Sequence, residues 1–368
     1  MRDRAKFNMF LFISTFARAL IEVFISLFLF KNGFPISSVL LFYLLENMFA
    51  LFISYGFVRL GEKYGYLVVM CLGVISFVVL QFVLNNVMRN SAYIVLIALL
   101  YSFYRRGYWV ARRYYVTEVM PQQNSSGPFS IMMVVSELAS ISAGFLGSFL
   151  LDGFNALVLT ILSSVLLFIS VIPLLKIKKK TNKTKIELIK NFKKYDKRNY
   201  LAFSLYEINN LLAFIFPIFI AIYIGDTYMM AGTVNAISCL AIIIFILIYG
   251  KIIKKRNYFV ISSVLFILVS LTKLLPLGYF ILILCFAEGL IKKMQEQSVN
   301  KIYFENRNNM DLTHYNLIYQ IIEAIARAVV VIPLLFMNDI RVMIAFVLII
   351  ISAEVAIYAC MKKDRKLN

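Results

Sequence analysis

The apolar residues of this chain come in long runs that are separated by short polar breaks. An α-helix of about 20 residues, rising about 1.5 Å per residue, crosses the roughly 30 Å hydrocarbon core of a bilayer. The hydrophobic fraction of 61% and the mean hydropathy of +0.83 exceed those of soluble domains. Continuous runs such as Ala241 to Ile248 lack the alternation of a transmembrane β-strand. The sequence therefore predicts an all-α membrane protein.

Twelve runs are long enough to be membrane spans, and the lysines and arginines between them predict their orientation. The predicted spans are residues 7–30, 36–58, 66–84, 92–116, 128–150, 155–175, 200–224, 230–250, 257–275, 279–303, 312–336 and 341–361. With the N-terminus inside, 25 lysines and arginines fall in the inner segments and 4 in the outer ones. The positive-inside rule then places both termini in the cytoplasm, and we expect a bacterial cytoplasmic membrane. This bias explains the net charge of +19 without nucleic-acid binding.

The spans fall into two halves with a weak internal repeat. We predict a six-helix bundle over 1–175, a basic cytoplasmic linker over 176–199 and a second six-helix bundle over 200–368. The linker is either a solvated connection or an amphipathic helix on the anionic inner leaflet, and both interpretations remain open. A shift of 187 residues places the pair Arg105-Arg106 on Lys292-Lys293, which supports duplication of a six-span unit.

Two short motifs give the chain a family resemblance over essentially its whole length. Gly61-Glu62-Lys63-Tyr64-Gly65, after the second span, resembles the signature loop of the major facilitator superfamily, although Glu62 replaces the usual aspartate. The glycine-rich run 143–148 is similar to a motif of the family's antiporters but lacks the proline. The resemblance implies two pseudo-symmetric six-helix bundles, a central cavity lined by spans one, four, seven and ten, and an inner gate braced by Gly61, Glu62, Lys63 and Gly65. We expect a monomer surrounded by membrane lipids.

The fourth predicted span holds four arginines and the only tryptophan of the chain, within residues 104–114. Charge inside a bilayer costs several kcal/mol unless it is paired or faces water. Arg105 and Arg106 have no acid three or four residues away, which favours a substrate-binding role. The full set of predicted substrate-binding residues is Arg18, Arg105, Arg106, Trp109, Lys292 and Lys293. Arg112 and Arg113 lie nearer the inner mouth, where we expect them to reach lipid phosphate.

Two other interpretations of the intramembrane charges stay open. The first is structural pairing within one helix, because Arg18 and Glu22, Glu323 and Arg327, and the series Glu288-Lys292-Glu296 are all spaced i,i+4. The second is proton coupling, because a buried carboxylate that gains and loses an arginine partner can release and take up a proton. The proton-coupling candidates are Glu22, Glu46, Glu137, Glu207 and Glu288.

The sequence favours transport over other functions. It has no GxxxxGK[ST] loop for nucleotide, no nucleophile and base at a recognisable spacing, and only scattered cysteines with one histidine, so we predict neither an enzyme nor a cofactor. We predict a secondary transporter that moves a small amphipathic or anionic organic solute by alternating access, with proton coupling and export. The alternatives are a flippase for a lipid-linked headgroup and a non-transporting membrane receptor or sensor of the same fold.

Overall fold

The computed structural model describes residues 2–86, 90–119, 126–175, 197–249, 258–275, 278–307 and 312–364. Thirteen α-helices make up these ranges, and a short 3₁₀ turn, Gly278–Phe280, precedes the eleventh. The helices are α1 Arg2–Glu22, α2 Ile25–Lys31, α3 Ile36–Tyr64, α4 Tyr66–Asn85, α5 Ser91–Val119, α6 Ser126–Gly153, α7 Ala156–Leu175, α8 Lys197–Tyr223, α9 Tyr228–Tyr249, α10 Phe259–Thr272, α11 Ile281–Arg307, α12 Leu312–Leu334 and α13 Ile340–Asp364.

The helices correspond one to one with the twelve predicted spans, once α1 and α2 are counted together as the first span. Within the described ranges, nine spans are both long enough and apolar enough to cross a membrane. Of the other three, α10 is short at 14 residues, whereas α5 and α11 carry the intramembrane charges predicted from the sequence. The all-α fold with twelve spans is therefore confirmed.

The spans form two six-span halves with matching contacts. In the first half α5 packs against α3 and α4, and α1 packs against α6 and α7; in the second half α11 packs against α9 and α10, and α8 packs against α12 and α13. The halves meet where α6 packs on α9 and where α3 packs on α12, which are equivalent pairs under the repeat. Most of the predicted linker, residues 176–196, lies outside the described residues, and 197–199 belong to α8.

The halves are joined at one end of the bundle by a cluster of polar contacts. We call the end where α1 begins and α13 ends the termini end, and the opposite end the far end. At the far end, Lys31 Nζ lies 3.3 Å from Asp226 Oδ1 and 4.5 Å from the centre of the Tyr228 ring. Asp152 accepts hydrogen bonds from the Tyr228 and Met229 backbone N–H groups at 3.1 and 2.7 Å. These five residues form the far-end clamp, which holds the first half against the second.

Candidate functional site

A cavity of about 570 Å³ lies between the two halves. It extends toward the termini end as far as Val116, Met132 and Val299. Its wall carries five basic and five acidic side chains, which are Arg18, Arg105, Arg112, Arg113, Arg327, Glu22, Glu137, Glu207, Glu296 and Glu323. Its aromatic side chains are Tyr43, Tyr101, Trp109, Tyr206, Phe214 and Tyr319. A cavity of this size, aromatic with convergent polar groups, suits a small organic molecule.

Arg105 and Arg106 are both held by glutamates from other helices. Arg105 donates to Glu46 Oε2 at 3.1 Å and to Glu323 Oε1 at 3.0 Å. Arg106 Nη1 donates to Glu323 Oε2 at 3.0 Å, and its Nη2 lies 3.5 Å from Glu46 Oε1. Arg105 lies on the cavity wall, whereas Arg106 is 1% exposed and lies behind it. The acids that neutralise these arginines are on α3 and α12. The spacing of charged residues along α5 alone therefore does not reveal them.

Arg327 extends these contacts into a network of six charges. Its Nη1 lies 2.9 Å from Glu323 Oε1, and its Nη2 donates to Glu207, a residue that also accepts a hydrogen bond from the Tyr319 hydroxyl at 2.6 Å. We define the six-charge network as Arg105, Arg106, Arg327, Glu46, Glu207 and Glu323. Three positive and three negative groups balance one another, and the network joins α3 and α5 of the first half to α8 and α12 of the second.

The i,i+4 pair predicted in the first span is present on the cavity wall. Arg18 Nη1 lies 2.9 Å from Glu22 Oε2. The Tyr101 and Tyr104 hydroxyls donate to Glu22 at 3.0 and 3.3 Å. The Arg18 guanidinium carbon lies 5.7 Å from the centre of the Trp109 ring. This arrangement satisfies both charges locally, as the structural-pairing interpretation expects.

Lys292, Lys293 and Glu288 do not reach the cavity wall. Lys292 bonds to Glu288 at 2.7 Å, and Glu288 also bonds to the buried Lys273. Lys293 bonds to Glu296 at 2.9 Å. The facing pairs of bases expected from spans four and ten therefore do not occur in this structure, because α11 presents Glu296 to the cavity and turns both lysines away from it.

Arg112 and Arg113 lie on the cavity wall, which corrects the expectation that they reach lipid phosphate. Arg112 is 8% exposed, and its guanidinium carbon lies 4.6 Å from the centre of the Trp109 ring. The Arg113 guanidinium carbon lies 4.6 Å from the centre of the Tyr319 ring, which belongs to the other half. The helical spacing of Arg105, Trp109 and Arg112 places them on one face of α5 and is the sequence signal that could have found this position.

The proton-coupling candidates divide by their position. Glu22 and Glu207 lie on the wall in ion pairs, whereas Glu46 and Glu288 are paired and lie off it. Glu137 lies on the wall between Ser136 and Ser140 of α6, and it forms no ion pair with any residue of the described ranges. Among the glutamates on the wall, Glu137 is therefore the one whose negative charge is least compensated.

The predicted gate lies at the junction of α3 and α4. Gly65 has φ of 94°, a conformation that favours glycine, and it ends α3. A Cβ on Gly61 would lie 2.5 Å from the Tyr66 ring, so a larger residue at this position would displace that ring. Glu62 lies 3.5 Å from Arg59, and Lys63 lies 4.9 Å from the Tyr64 ring centre. The gating role of Gly61, Glu62, Lys63 and Gly65 stays a prediction.

Comparison with known proteins decides the family. The model of the Major Facilitator Superfamily matches residues 8–299. The chain belongs to the major facilitator superfamily. No curated protein matches the sequence.

Solved structures of this superfamily's fold cover nearly the whole chain. A point variant of the nucleoside transporter NupG has a TM-score of 0.74 and 13% identity, with 98% of this chain and 99% of that chain covered. The structure titled nucleoside transporter NupG has a TM-score of 0.71 and 15% identity, with 99% and 100% covered. The chain is thus a multi-pass membrane protein with the fold of a major facilitator superfamily transporter.

Proposed function

We propose that this chain is a secondary active transporter that moves a small amphipathic or anionic organic solute across a bacterial cytoplasmic membrane by alternating access. The observation that carries the proposal is the cavity of about 570 Å³ between two pseudo-symmetric halves. A site at the interface of two repeats can be exposed to either side of a membrane when the halves rock about it.

The contacts between the halves suggest how the rocking is controlled. The far-end clamp holds the halves together at one end, while the cavity extends toward the other. Opening of the far end requires the contacts of Lys31 and Asp152 to break. The six-charge network lies between these ends and links the two halves through buried ion pairs.

The wall chemistry favours a solute that combines a ring with a polar or charged group. Aromatic side chains offer flat surfaces for a ring, and arginines offer planar donors for an anionic group. The similar fold of a nucleoside transporter makes nucleosides and their phosphorylated derivatives sensible first solutes to test.

Proton coupling is assigned in this proposal to Glu137. Glu137 lies on the wall and has no ion-pair partner in the described ranges. This favours it over Glu22 and Glu207, which form ion pairs with arginines. In an exporter driven by an inward proton gradient, Glu137 would release its proton to the cytoplasm as the solute binds, and it would take up a new proton from outside after the solute leaves. We propose export as the direction of transport, as expected from the sequence.

Uptake into proteoliposomes tests the proposal. Purified protein is reconstituted, and the flux of radiolabelled candidate solutes is measured with and without an imposed pH gradient. We expect saturable flux that the gradient drives uphill, and inverted orientation of the protein separates export from uptake. Binding without flux under any gradient would favour the receptor alternative, and movement of a labelled lipid instead of a soluble compound would favour the flippase.

A further inference from the structure

Two arginines on the cavity wall are left without an acidic partner. Arg18, Arg105 and Arg327 each bond to a glutamate. Arg112 and Arg113 form no ion pair with a carboxylate anywhere in the ranges that the structure describes. Both lie on α5 toward the termini end, beyond the six-charge network. The internal acids of the described ranges therefore form ion pairs with one set of arginines and make no direct contact with the other set.

The two free guanidinium groups are held in place by rings that use none of their donors. Arg112 lies against Trp109 and Arg113 lies against Tyr319, each at 4.6 Å from the ring centre. A guanidinium has five N–H donors, and a contact with an aromatic face leaves the donors at its edge free. Arg113 Nη1 is buried and has no hydrogen-bond partner. An unsatisfied buried donor is costly, and an acceptor entering the cavity would relieve that cost.

The surrounding charges leave this part of the cavity positive. Glu137 and Glu296 share the wall, but Glu296 accepts a hydrogen bond from Lys293 at 2.9 Å. Lys293, which lies behind the wall, compensates Glu296, so the three positive groups Arg112, Arg113 and Lys293 stand against two glutamates. The excess is one positive charge, and it becomes two when Glu137 is protonated.

We propose that Arg112 and Arg113 bind the carboxylate or phosphate group of the transported solute, which makes the substrate class an organic anion. This inference rests on the proposed function and narrows it. The planar forks of two arginines match the two or three oxygens of such a group and bind it bidentately. Because Arg113 lies against Tyr319 of the other half, an anion held there contacts both halves of the cavity.

Trp109 provides the reporter for a binding test, since it is the only tryptophan of the chain and lies beside Arg112. The purified full chain in detergent is titrated with inorganic phosphate, with uridine 5′-monophosphate and with neutral uridine, and tryptophan emission is recorded. We expect saturable changes with both anions, and a dissociation constant for the monophosphate at least about tenfold below that of uridine. The double variant R112Q/R113Q should lose this preference, whereas R112K/R113K keeps the charge and should retain part of it.

Arg341→Gln is the matched control. Arg341 also lies against a ring, Tyr223 at 4.0 Å, but it is not on the cavity wall. The control should bind both anions as the wild type does. Because no ion pair is removed in the Arg112 and Arg113 variants, their thermal unfolding should match the wild type, and the lysine variant covers the case in which the glutamine variant does not fold.

Several results would overturn the inference. They are an unchanged preference for the monophosphate in R112Q/R113Q, no preference in the wild type, or no saturable response to any of the three probes up to about 50 mM. In a parallel titration with short-chain phosphatidylglycerol, a response to this lipid alone would also overturn it. Failure of this site is distinguishable from failure of the proposed function. Flux of neutral uridine without anion binding would remove only the anion site, and anion binding without flux of any solute would remove only transport.

Discussion

Glu323 is the residue on which the six-charge network depends most. Its carboxylate accepts hydrogen bonds from Arg105 at 3.0 Å and from Arg106 at 3.0 and 3.5 Å, and lies 2.9 Å from Arg327 Nη1. Glu323→Gln leaves three arginines with two glutamates, so a buried network that was neutral becomes positive by one charge. Stranding a buried charge in this way costs about 3–5 kcal/mol. Arg106→Gln makes the network negative by one and should cost a similar amount.

The double variant E323Q/R106Q distinguishes charge balance from simple loss of contacts. It leaves two arginines with two glutamates, so the network is neutral again. Two independent losses would add to about 6–10 kcal/mol. Charge balance predicts that the double variant costs about as much as either single change, which is a coupling of about 3–5 kcal/mol.

Unfolding of the purified variants in detergent, by heat and by denaturant, measures these differences. Glu354→Gln is the control, because Glu354 accepts one hydrogen bond from Ser204 at 3.0 Å and holds no arginine in the described ranges. It should cost about 1 kcal/mol or less. Additivity of E323Q and R106Q within about 0.5 kcal/mol would refute the claim that these residues form one balanced network.

Two further changes test the coupling site and the contact between the halves. Glu137→Gln should make solute flux independent of pH, since the residue would be permanently uncharged, while Glu288→Gln, off the cavity wall, should keep the wild-type pH profile; a pH-dependent E137Q would remove the assignment. Gly232→Ala should lower stability by about 1–3 kcal/mol, because a Cβ there would lie 2.5 Å from Ser148 Oγ across the interface of the halves. Gly56→Ala meets nothing within 4 Å and should be neutral or stabilising by about 1 kcal/mol in thermal unfolding; equal effects at both glycines would contradict the close packing.

The span pattern was predictable because hydropathy is a local property of the chain. The third helix, predicted over 36–58, begins at Ile36 as expected and continues to Tyr64, since its polar last turns extend beyond the apolar run. The i,i+4 pair Arg18–Glu22 was predictable for the same reason, because both partners lie on one helix.

The rest of the site depends on contacts between helices. Arg105 and Glu323 are separated by 218 residues, so the spacing along α5 could not show that this arginine has a partner. Arg112 and Arg113 were expected near lipid from their depth alone, and only the packing of α5 shows which way they face. The sequence therefore identified α5 as the helix that carries the cavity arginines. It did not show that Arg112 and Arg113, rather than Arg105 and Arg106, lack an ion pair within the described ranges.

A reversible lock across the far-end clamp tests alternating access most directly. Lys31 and Asp226 are replaced by cysteine in a background where the exposed Cys360 is serine, and a short reducible bifunctional thiol reagent joins them. The flux of the solute is then measured in proteoliposomes before locking, after locking and after reduction. The account predicts that flux stops in the locked protein and returns on reduction, because the far end must open in every cycle. Undiminished flux through the fully locked protein would contradict it.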